Sequence, residues 1–323
     1  MQLHDVNAIR EHLAATEWLD SVPEDISFLA AGEYNENWLV HAGGRQYVYR
    51  INHDSQLGLG GRQIAYEYAV LRALQGSGVT PRPLALDADA PGLGRGVLLM
   101  EFLPGGPLDY RRDAFCAADV FARVHACPVP DELVVQADPV RDIAAESLGL
   151  LGRFPDHPLP EVGARLLRYH DEILMLAERE RGLFDDEPLV VVNTEVNSGN
   201  FLVEEGGEAC RLVDWEKAVV SCRYQDLGHF LVPTTTLWKT DYRFDAAARE
   251  VFLRRYRESA GLSMPLESIL RKTSILERTI LLRALSWCYM AYYEYTSQGR
   301  ALRNEDTFRT MRRYLDEVEC FLQ

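Results

Sequence analysis

Two acidic residues and an asparagine lie close together in the second half of the sequence. Glu195 is followed by Asn200 five residues later, and Asp214 comes fourteen residues after that asparagine. Phosphoryl transfer needs a divalent metal bound by hard oxygen ligands and a carboxylate near the attacking hydroxyl. The three residues therefore favour this chemistry, with Asn200 and Asp214 as candidate metal ligands and Glu195 as the candidate carboxylate.

Short strands and turns surround these residues, whereas most of the chain after residue 107 has helical periodicity. Three β-branched or apolar runs predict strands at 189–192, 201–204 and 210–215. Because loops held by rigid elements often carry functional residues, the chemistry is expected here. The amphipathic stretches that predict helices are 113–126, 161–181, 245–260, 266–297 and 303–322.

The first hundred residues predict a small lobe of mixed structure. The predicted elements are strands at 26–31, 37–42, 45–52, 81–86 and 97–102, with a helix at 62–75 between the third and fourth strands. Gly43 and Gly44 predict a hairpin turn between the second and third strands. A segment rich in proline and glycine begins at Leu103, so the two lobes are predicted to be residues 1–102 and 103–323.

The residues around Glu195 and Asp214 resemble the catalytic segments of the aminoglycoside phosphotransferase and choline kinase-like family, whose members are relatives of protein kinases. The family's loop reads H-G-D-x-x-x-x-N, and its metal aspartate follows in D-[WF]-[ED], which residues 214–216 match. Residues 224–227 match the family's Y-x-D-L, which implies that Asp226 braces the catalytic loop. The resemblance covers roughly residues 25–230.

The resemblance implies a two-lobed α+β fold of the protein kinase-like type. A small five-stranded antiparallel sheet with one helix would form the N-terminal nucleotide-binding lobe, and a larger, mainly helical lobe would carry the catalytic and acceptor sites. The implied cofactors are ATP, with GTP as the alternative, and Mg²⁺.

Upstream segments are similar to the family's nucleotide site. Arg50 lies on the strand that would carry the phosphate-binding cation, and Glu67 lies where the small-lobe helix supplies its ion-pair partner. Glu101 and Leu103 belong to a segment similar to the hinge, whose backbone would hydrogen-bond the adenine. The segment 31–37 lies where the phosphate-covering loop is expected, with Gly32 and Asn35 as its cofactor-binding residues.

The position of Glu67 supports this interpretation without reference to the family. On the predicted helix the acid shares a face with Ile64, Leu71 and Leu74, so it lies on the apolar side and needs a partner. Arg50 is a good candidate because a guanidinium stays charged and can bind a carboxylate and a phosphate through separate nitrogens. The alternative is a glutamate at the edge of the helix that reaches solvent.

Three residues of the catalytic loop depart from the family pattern. Asn193 replaces the usual histidine, Glu195 replaces the aspartate, and Asn197 stands where a second histidine is common. Glutamate keeps the charge but extends the side chain by about 1.5 Å. Misplacement on that scale can reduce the rate on the order of 10²-fold unless the acceptor is set back.

Two main hypotheses follow. The first is an ATP- and Mg²⁺-dependent phosphotransferase that acts on a hydroxyl of a small polar molecule, such as a sugar, an aminocyclitol or aminoglycoside-like compound, or an amino alcohol. The alternative is a nucleotide-binding pseudokinase with a structural or regulatory role. Transfer of a nucleotidyl group is a third, weaker hypothesis.

Two further features after Asp214, the residue Glu216 and the segment 234–241, can each be interpreted in two ways. Glu216 could approach a second metal through water or could be a surface acid. The hydroxyl-rich and aromatic segment 234–241 could contact the acceptor, or could be a loop that buries Trp238.

The composition restricts the partners. A formal net charge of −15 and a pI near 5.0 argue against nucleic acid, because phosphate backbones attract basic surfaces. The six cysteines show no C-x-x-C spacing and suggest neither a zinc site nor a disulfide framework. The N-terminal segment is too charged for a signal peptide, and no apolar run approaches the roughly 18 residues of a membrane span. We therefore predict a cytoplasmic location without a membrane partner.

Overall fold

A computed structural model of the protein describes residues 3–32, 34–207, 209–297 and 305–322. Glu33 of the predicted phosphate-covering loop and residues 303 and 304 of the last predicted helix lie outside the described residues.

The small lobe is a five-stranded antiparallel sheet with two helices. Its elements are α1 (Val6–Thr16), β1 (Asp25–Ala31), β2 (Asn35–Ala42), β3 (Arg45–Asn52), α2 (Gln63–Leu74), β4 (Pro83–Ala90) and β5 (Arg95–Glu101). The strand order is β1-β2-β3-β5-β4. Gly43 and Gly44 connect β2 to β3 with φ angles of 56° and 70°, and this left-handed conformation is the one that a two-residue hairpin turn requires.

The large lobe is mainly helical. Its helices are α3 (Tyr110–Val124), α4 (Pro139–Leu151), α5 (Pro160–Arg179), α6 (Tyr224–Leu231), α7 (Pro233–Lys239), α8 (Ala246–Ser259), α9 (Leu266–Ser297), α10 (Glu305–Asp316) and α11 (Val318–Phe321). Two short antiparallel pairs lie among them, formed by β6 (Leu189–Val192) with β9 (Val219–Cys222) and by β7 (Phe201–Val203) with β8 (Cys210–Leu212). These pairs frame the loops that carry the candidate catalytic residues.

The two faces of the small sheet belong to different hydrophobic cores. On one face, Trp38 and Val40 of β2 pack with α1 in a separate core. On the other face, Val48 and Met100 join Leu71 of α2 in a core that continues into the large lobe. This alternation follows from the two-residue period of a strand, which sends neighbouring side chains to opposite faces.

The α+β fold class predicted from the sequence is confirmed, including the five antiparallel strands. The predicted elements leave out several of those observed, among them α1, α4 and β9. Of the two interpretations of segment 234–241, the loop is wrong, because Pro233–Lys239 is the helix α7. The strand predicted at 210–215 is too long, because it ends at Leu212. Asp214 has a φ of 65°, a conformation that cannot continue a strand. Among the described residues, no helix is both long and apolar enough to cross a membrane.

Candidate active site

The loop after β6 is fixed by one buried carboxylate. Asp226, in the first turn of α6, accepts hydrogen bonds from the backbone amides of Asn193 and Thr194, each at 3.0 Å. Asp226 is completely buried. Thr194 has a φ of 66°, which is unfavourable for a β-branched residue and persists because surrounding contacts impose it. Asp226 therefore has the bracing contacts that the Y-x-D-L resemblance implied.

Asn193 connects the two halves of the site. Its side-chain amide donates to the backbone carbonyl of Asp214 at 2.8 Å, and its side-chain oxygen accepts from the amide of Glu195 at 3.0 Å. Asn200 adds a second connection, because its side-chain amide donates to the carbonyl of Glu195 at 2.7 Å. Asn193 thus holds the loop of Glu195 against the segment of Asp214.

Arg50 lies at the centre of a buried group of charges. It forms an ion pair with Glu67, and its Nη2 atom lies 2.8 Å from Oδ1 of Asp214. Its Nε atom donates to Oδ1 of Asn37 at 2.9 Å. Burial by itself lowers the pKa of Arg50, but Glu67, Asp214 and Glu216 outweigh that effect and hold the pKa above its ordinary value. The structure therefore places Glu67 against the partner that its helix position predicted, and not in solvent.

Replacement of Arg50 by methionine is expected to lower the free energy of unfolding by about 3–5 kcal/mol, because it leaves the Glu67 carboxylate buried without its partner. Urea denaturation measures this change. The double variant Arg50→Met with Glu67→Leu is expected to recover most of the lost stability, since an apolar pair can replace a buried ion pair. If Arg50→Met alone is as stable as the wild type, the ion pair between Arg50 and Glu67 does not stabilise the fold.

Three carboxylates gather beside Arg50. One oxygen each from Glu195, Asp214 and Glu216 lies within 4.8 Å of the others. Burial, followed by the charge of Asp214, raises the pKa of Glu195 to about 7. Burial, followed by the charges of Asp214 and Glu195, raises the pKa of Glu216 to about 9. Carboxylate oxygens are hard ligands, and three of them this close together repel one another. The group therefore fits a divalent cation such as Mg²⁺.

The metal-free protein is expected to lose stability as the pH rises from about 5 to 9. The pKa of Glu216 rises on folding from 4.5 to about 9, so in this window the folded state binds a proton that the unfolded state has released. Thermal denaturation of wild type and Glu216→Gln across this range measures the effect. The melting temperature of the variant should rise progressively above that of the wild type as pH rises. Excess Mg²⁺ should reduce this difference in melting temperature. If this difference instead becomes smaller as pH rises in the absence of metal, the pKa of Glu216 is not raised.

A cavity of about 650 Å³ lies between the sheet and the large lobe. Every residue predicted to bind nucleotide or metal lines it: Gly32, Asn35, Arg50, Glu67, Glu101, Leu103, Asn200 and Asp214. Val48, Leu71 and Met100 add apolar surface to its walls. The structure thus brings together residues that are up to 182 positions apart in the sequence, from Gly32 to Asp214.

A second cavity, of about 270 Å³, adjoins the first. Glu195 lines this second cavity, with Thr234, Thr235, Trp238 and Trp287. The two cavities share four lining residues: Gly32, Asn197, Asp214 and Glu216. The segment 234–241 therefore contributes hydroxyls and an aromatic ring to a cavity instead of forming only a surface loop.

Three residues of the site were not assigned from the sequence. Glu216 was left between two interpretations, although its place in D-W-E beside Asp214 was a usable signal. Gln56 donates from Nε2 to Oε1 of Glu195 at 3.3 Å. Arg283, on α9, lines the second cavity and lies near enough to Glu195 to oppose the rise in its pKa. No local pattern marks Gln56 or Arg283, because tertiary contacts alone bring them to the site.

The five-stranded sheet, the helical lobe and the site between them define the protein kinase-like class of fold. The chain belongs to the phosphotransferase enzyme family (APH), whose family model matches residues 25–265. The resemblance inferred from the motifs is therefore confirmed. No curated protein sequence matches this chain.

Solved structures of similar fold include antibiotic and amino-alcohol kinases. Spectinomycin phosphotransferase APH(9)-Ia, in complex with ADP and spectinomycin, is 13% identical and has a TM-score of 0.65, with 98% of this chain and 95% of that chain covered. Ethanolamine kinase of Plasmodium vivax is 14% identical and has a TM-score of 0.68, with 96% and 86% covered. Choline kinase of Streptococcus pneumoniae is 14% identical and has a TM-score of 0.62, with 98% and 99% covered. At such low sequence identities, the structural similarity establishes the fold alone.

Proposed function

We propose that this protein transfers the terminal phosphoryl group of ATP to a hydroxyl of a small polar molecule, with Mg²⁺ as the required cation. The observation that carries this proposal is that two cavities meet at one cluster of carboxylates. A phosphoryl donor in the first cavity and an acceptor in the second would face each other beside Asp214. Phosphoryl transfer depends mainly on such positioning and on electrostatic stabilisation.

The first cavity would hold the nucleotide. Arg50 binds the phosphates, while its ion pair with Glu67 fixes the guanidinium. The backbone amide of Glu101 already donates to the carbonyl of Arg82 at 2.9 Å, so we assign adenine recognition to the carbonyl of Glu101 and the amide of Leu103. GTP is the alternative donor, and the choice between the two depends on these same hinge groups.

The oxygen ligands at the floor of the cavity would hold the cation. Asn200 and Asp214 are its proposed ligands, and Glu216 joins them. When bound, Mg²⁺ supplies positive charge that neutralises the phosphates and offsets repulsion among the carboxylates. Asn35 donates its side-chain amide to Glu216, which connects the loop of Gly32 to this floor. That loop would cover the phosphates.

The second cavity would hold the acceptor. Glu195 orients the hydroxyl and accepts its proton, and Thr234 and Thr235 supply hydrogen-bonding hydroxyls. Trp238 and Trp287, whose ring centroids lie 6.0 Å apart, supply an aromatic wall. Acids, hydroxyls and aromatic rings suit a sugar, an aminocyclitol or an amino alcohol. Spectinomycin, ethanolamine and choline, which the names of the similar structures contain, fall within this range.

The alternative is a nucleotide-binding pseudokinase, and the observation that favours it is the glutamate at position 195. Such a protein would keep the nucleotide cavity and the metal ligands and would lack turnover. The two hypotheses share every prediction about ATP and Mg²⁺ binding and differ only in acceptor-dependent ADP release.

A thermal-shift assay followed by an acceptor screen tests the proposal. ATP with Mg²⁺ at 100 times its Kd is expected to stabilise the protein by about 2.7 kcal/mol, and neither component alone should do so to this extent. ADP release is then measured with a panel of sugars, aminocyclitols and amino alcohols. Release that depends on one acceptor class supports the kinase, whereas stabilisation without turnover over the whole panel supports the pseudokinase. The absence of any ATP-dependent shift would reject both.

A further inference from the structure

A third cavity, of about 270 Å³, adjoins the second one. The two cavities share Gln56, His229 and Arg283 as lining residues. Thr194, the residue before Glu195, also lines the third cavity. A small molecule whose hydroxyl faces Glu195 can therefore extend into the third cavity with another part of its structure.

Two cations of the third cavity share a single carboxylate oxygen. Nε of Arg283 donates to Oε1 of Glu146 at 3.0 Å, and Nζ of Lys217 lies 3.6 Å from the same oxygen. The second distance is longer than that of a hydrogen bond. Lys217 belongs to the loop before β9, Glu146 to α4 and Arg283 to α9, so tertiary contacts alone bring the three charges together.

Lys217 is the most deeply buried of these three residues. Its side chain is 7% exposed, whereas the side chains of Arg283 and Glu146 are 17% and 36% exposed. An ammonium group removed from water needs hydrogen-bond acceptors and a compensating negative charge. In the described part of the chain, Glu146 is the one ion-pair partner of Lys217, and water weakens the charge of this half-exposed carboxylate. An anion that enters the third cavity would therefore meet an incompletely compensated cation.

The described residues that line the third cavity carry an excess of one positive charge. Lys217 and Arg283 contribute two positive charges, and Glu146 balances one of them. His229 is neutral near pH 7, because burial lowers its pKa to about 4. Glu195 also lies near Arg283, but burial raises the pKa of Glu195 to about 7, so near neutral pH it carries only about half a negative charge. A carboxylate, with its single negative charge, matches this excess better than a doubly charged phosphate does.

The acidic residues of the second cavity do not offer a comparable site to a cationic acceptor. Asp214 and Glu216 would face Mg²⁺ in the proposed site, and Glu195 would face the acceptor hydroxyl. Among the described residues that line the second cavity, no further carboxylate is left for an ammonium group. Arg283, by contrast, uses Nε for Glu146, which leaves its Nη atoms to donate to a carboxylate.

We infer that the acceptor is a hydroxy acid, such as a sugar acid, whose carboxylate binds Lys217 and Arg283 while its hydroxyl faces Glu195. This inference rests on the proposed function and narrows its acceptor class. Gln225 supports a polar occupant, because its buried Oε1 has no hydrogen-bond donor among the described residues and suits a second hydroxyl of the same molecule. Charge-assisted hydrogen bonds to the carboxylate distinguish such an acid from a neutral molecule of the same size.

Matched acids and alcohols test this inference on the wild-type protein. The panel contains aldonic acids and short hydroxy acids, each paired with the alcohol that lacks the carboxylate, such as D-gluconate with D-glucitol and D-glycerate with glycerol. Thermal shift with Mg²⁺ and a non-hydrolysable ATP analogue measures binding, and ADP release with ATP measures turnover. We expect at least one acid to bind and to be phosphorylated with a KM about 10–100-fold below that of its alcohol, the effect of hydrogen bonds to a charged group.

Two variants of the third cavity connect this preference to its residues. Lys217→Gln should raise the KM for the acid by about 10–100-fold and leave kcat and the KM for the alcohol nearly unchanged, because the carboxylate contact is the same in the ground and transition states. Arg283→Gln should raise the KM for the acid in the same way. Arg271→Gln, the same substitution at an exposed position of α9, is the matched control and should behave like the wild type. Circular dichroism establishes that each variant is folded, and the two cavity variants guard against failure of one of them.

The outcomes separate this inference from the proposed function. Acids that stabilise the wild type but not Lys217→Gln, without any ADP release, would support the carboxylate site and reject phosphoryl transfer. ADP release that is as efficient with the alcohols as with their acids would support phosphoryl transfer and overturn the inference. Equal binding of the acids by the wild type and both cavity variants would also overturn it, as would a panel in which no acid binds.

Discussion

Replacement of Asp214 by asparagine is expected to reduce phosphoryl transfer on the order of 10³-fold, comparable to removal of a principal electrostatic stabilising group. The carboxylate lies 2.8 Å from Arg50, the proposed phosphate-binding residue, and within 4.8 Å of the Glu195 and Glu216 oxygens that surround the proposed metal position. The amide has nearly the same shape but no charge. We therefore also expect the stabilisation by ATP with Mg²⁺ to be lost. Steady-state ADP release and thermal shift measure the two effects.

Glu204→Gln is the matched control for this variant. Glu204 follows the end of β7 and forms an ion pair with Arg211, so the same acid-to-amide change is made in the same region of the lobe. This control should keep activity and nucleotide binding close to those of the wild type. Metal-dependent nucleotide binding that is unchanged in Asp214→Asn would remove Asp214 from the metal site.

Replacement of Glu195 by glutamine is expected to lower kcat by about 10²–10⁴-fold with little change in ATP affinity. The Glu195 side chain lines the second cavity, proposed for the acceptor, and not the first, so its loss should slow the chemical step and leave ATP binding unchanged. Rapid-mixing measurements of ADP formation, together with ATP titration by thermal shift, separate the two quantities. Equal kcat in wild type and Glu195→Gln would show that this carboxylate takes no proton from the acceptor.

The variant Glu195→Asp examines whether the site is adapted to the longer side chain. Aspartate withdraws the carboxylate by about 1.5 Å. If the acceptor is set back to suit glutamate, the shorter residue should lower kcat on the order of 10²-fold, although the motif resemblance gives aspartate at this position. A rise in activity would instead identify Glu195 as a defect in a degenerate site and would favour the pseudokinase.

The local patterns of the sequence were sufficient to predict most of the small lobe. Short apolar runs gave the strands, and the Gly43-Gly44 turn gave the pairing of β2 with β3, because both signals depend on neighbouring residues. The face of α2 that carries Glu67 likewise predicted a buried acid that requires a partner. The ion pair with Arg50 satisfies that requirement.

The parts that were missed depend on tertiary contacts. The helix α7 contains three consecutive threonines, which have low helix propensity, and it forms where Thr236 is fully buried and Tyr314 donates to the carbonyl of Thr234. Gln56 and Arg283 reach Glu195 from 139 positions upstream and 88 positions downstream, so no local spacing could have indicated them. Glu216 was recognisable only as a neighbour of Asp214, the proposed metal ligand.

The hydrophobic core that runs from β3, α2 and β5 into the helical lobe limits how the cleft can open. Val48, Leu71 and Met100 belong to the same continuous apolar cluster as Phe121 and Phe230. Swinging the sheet away as a rigid body would expose this shared interior to water, which is costly in proportion to the area exposed. Ligand entry is therefore expected to rely on small local displacements at the mouth of the cleft, with the shared hydrophobic core kept intact.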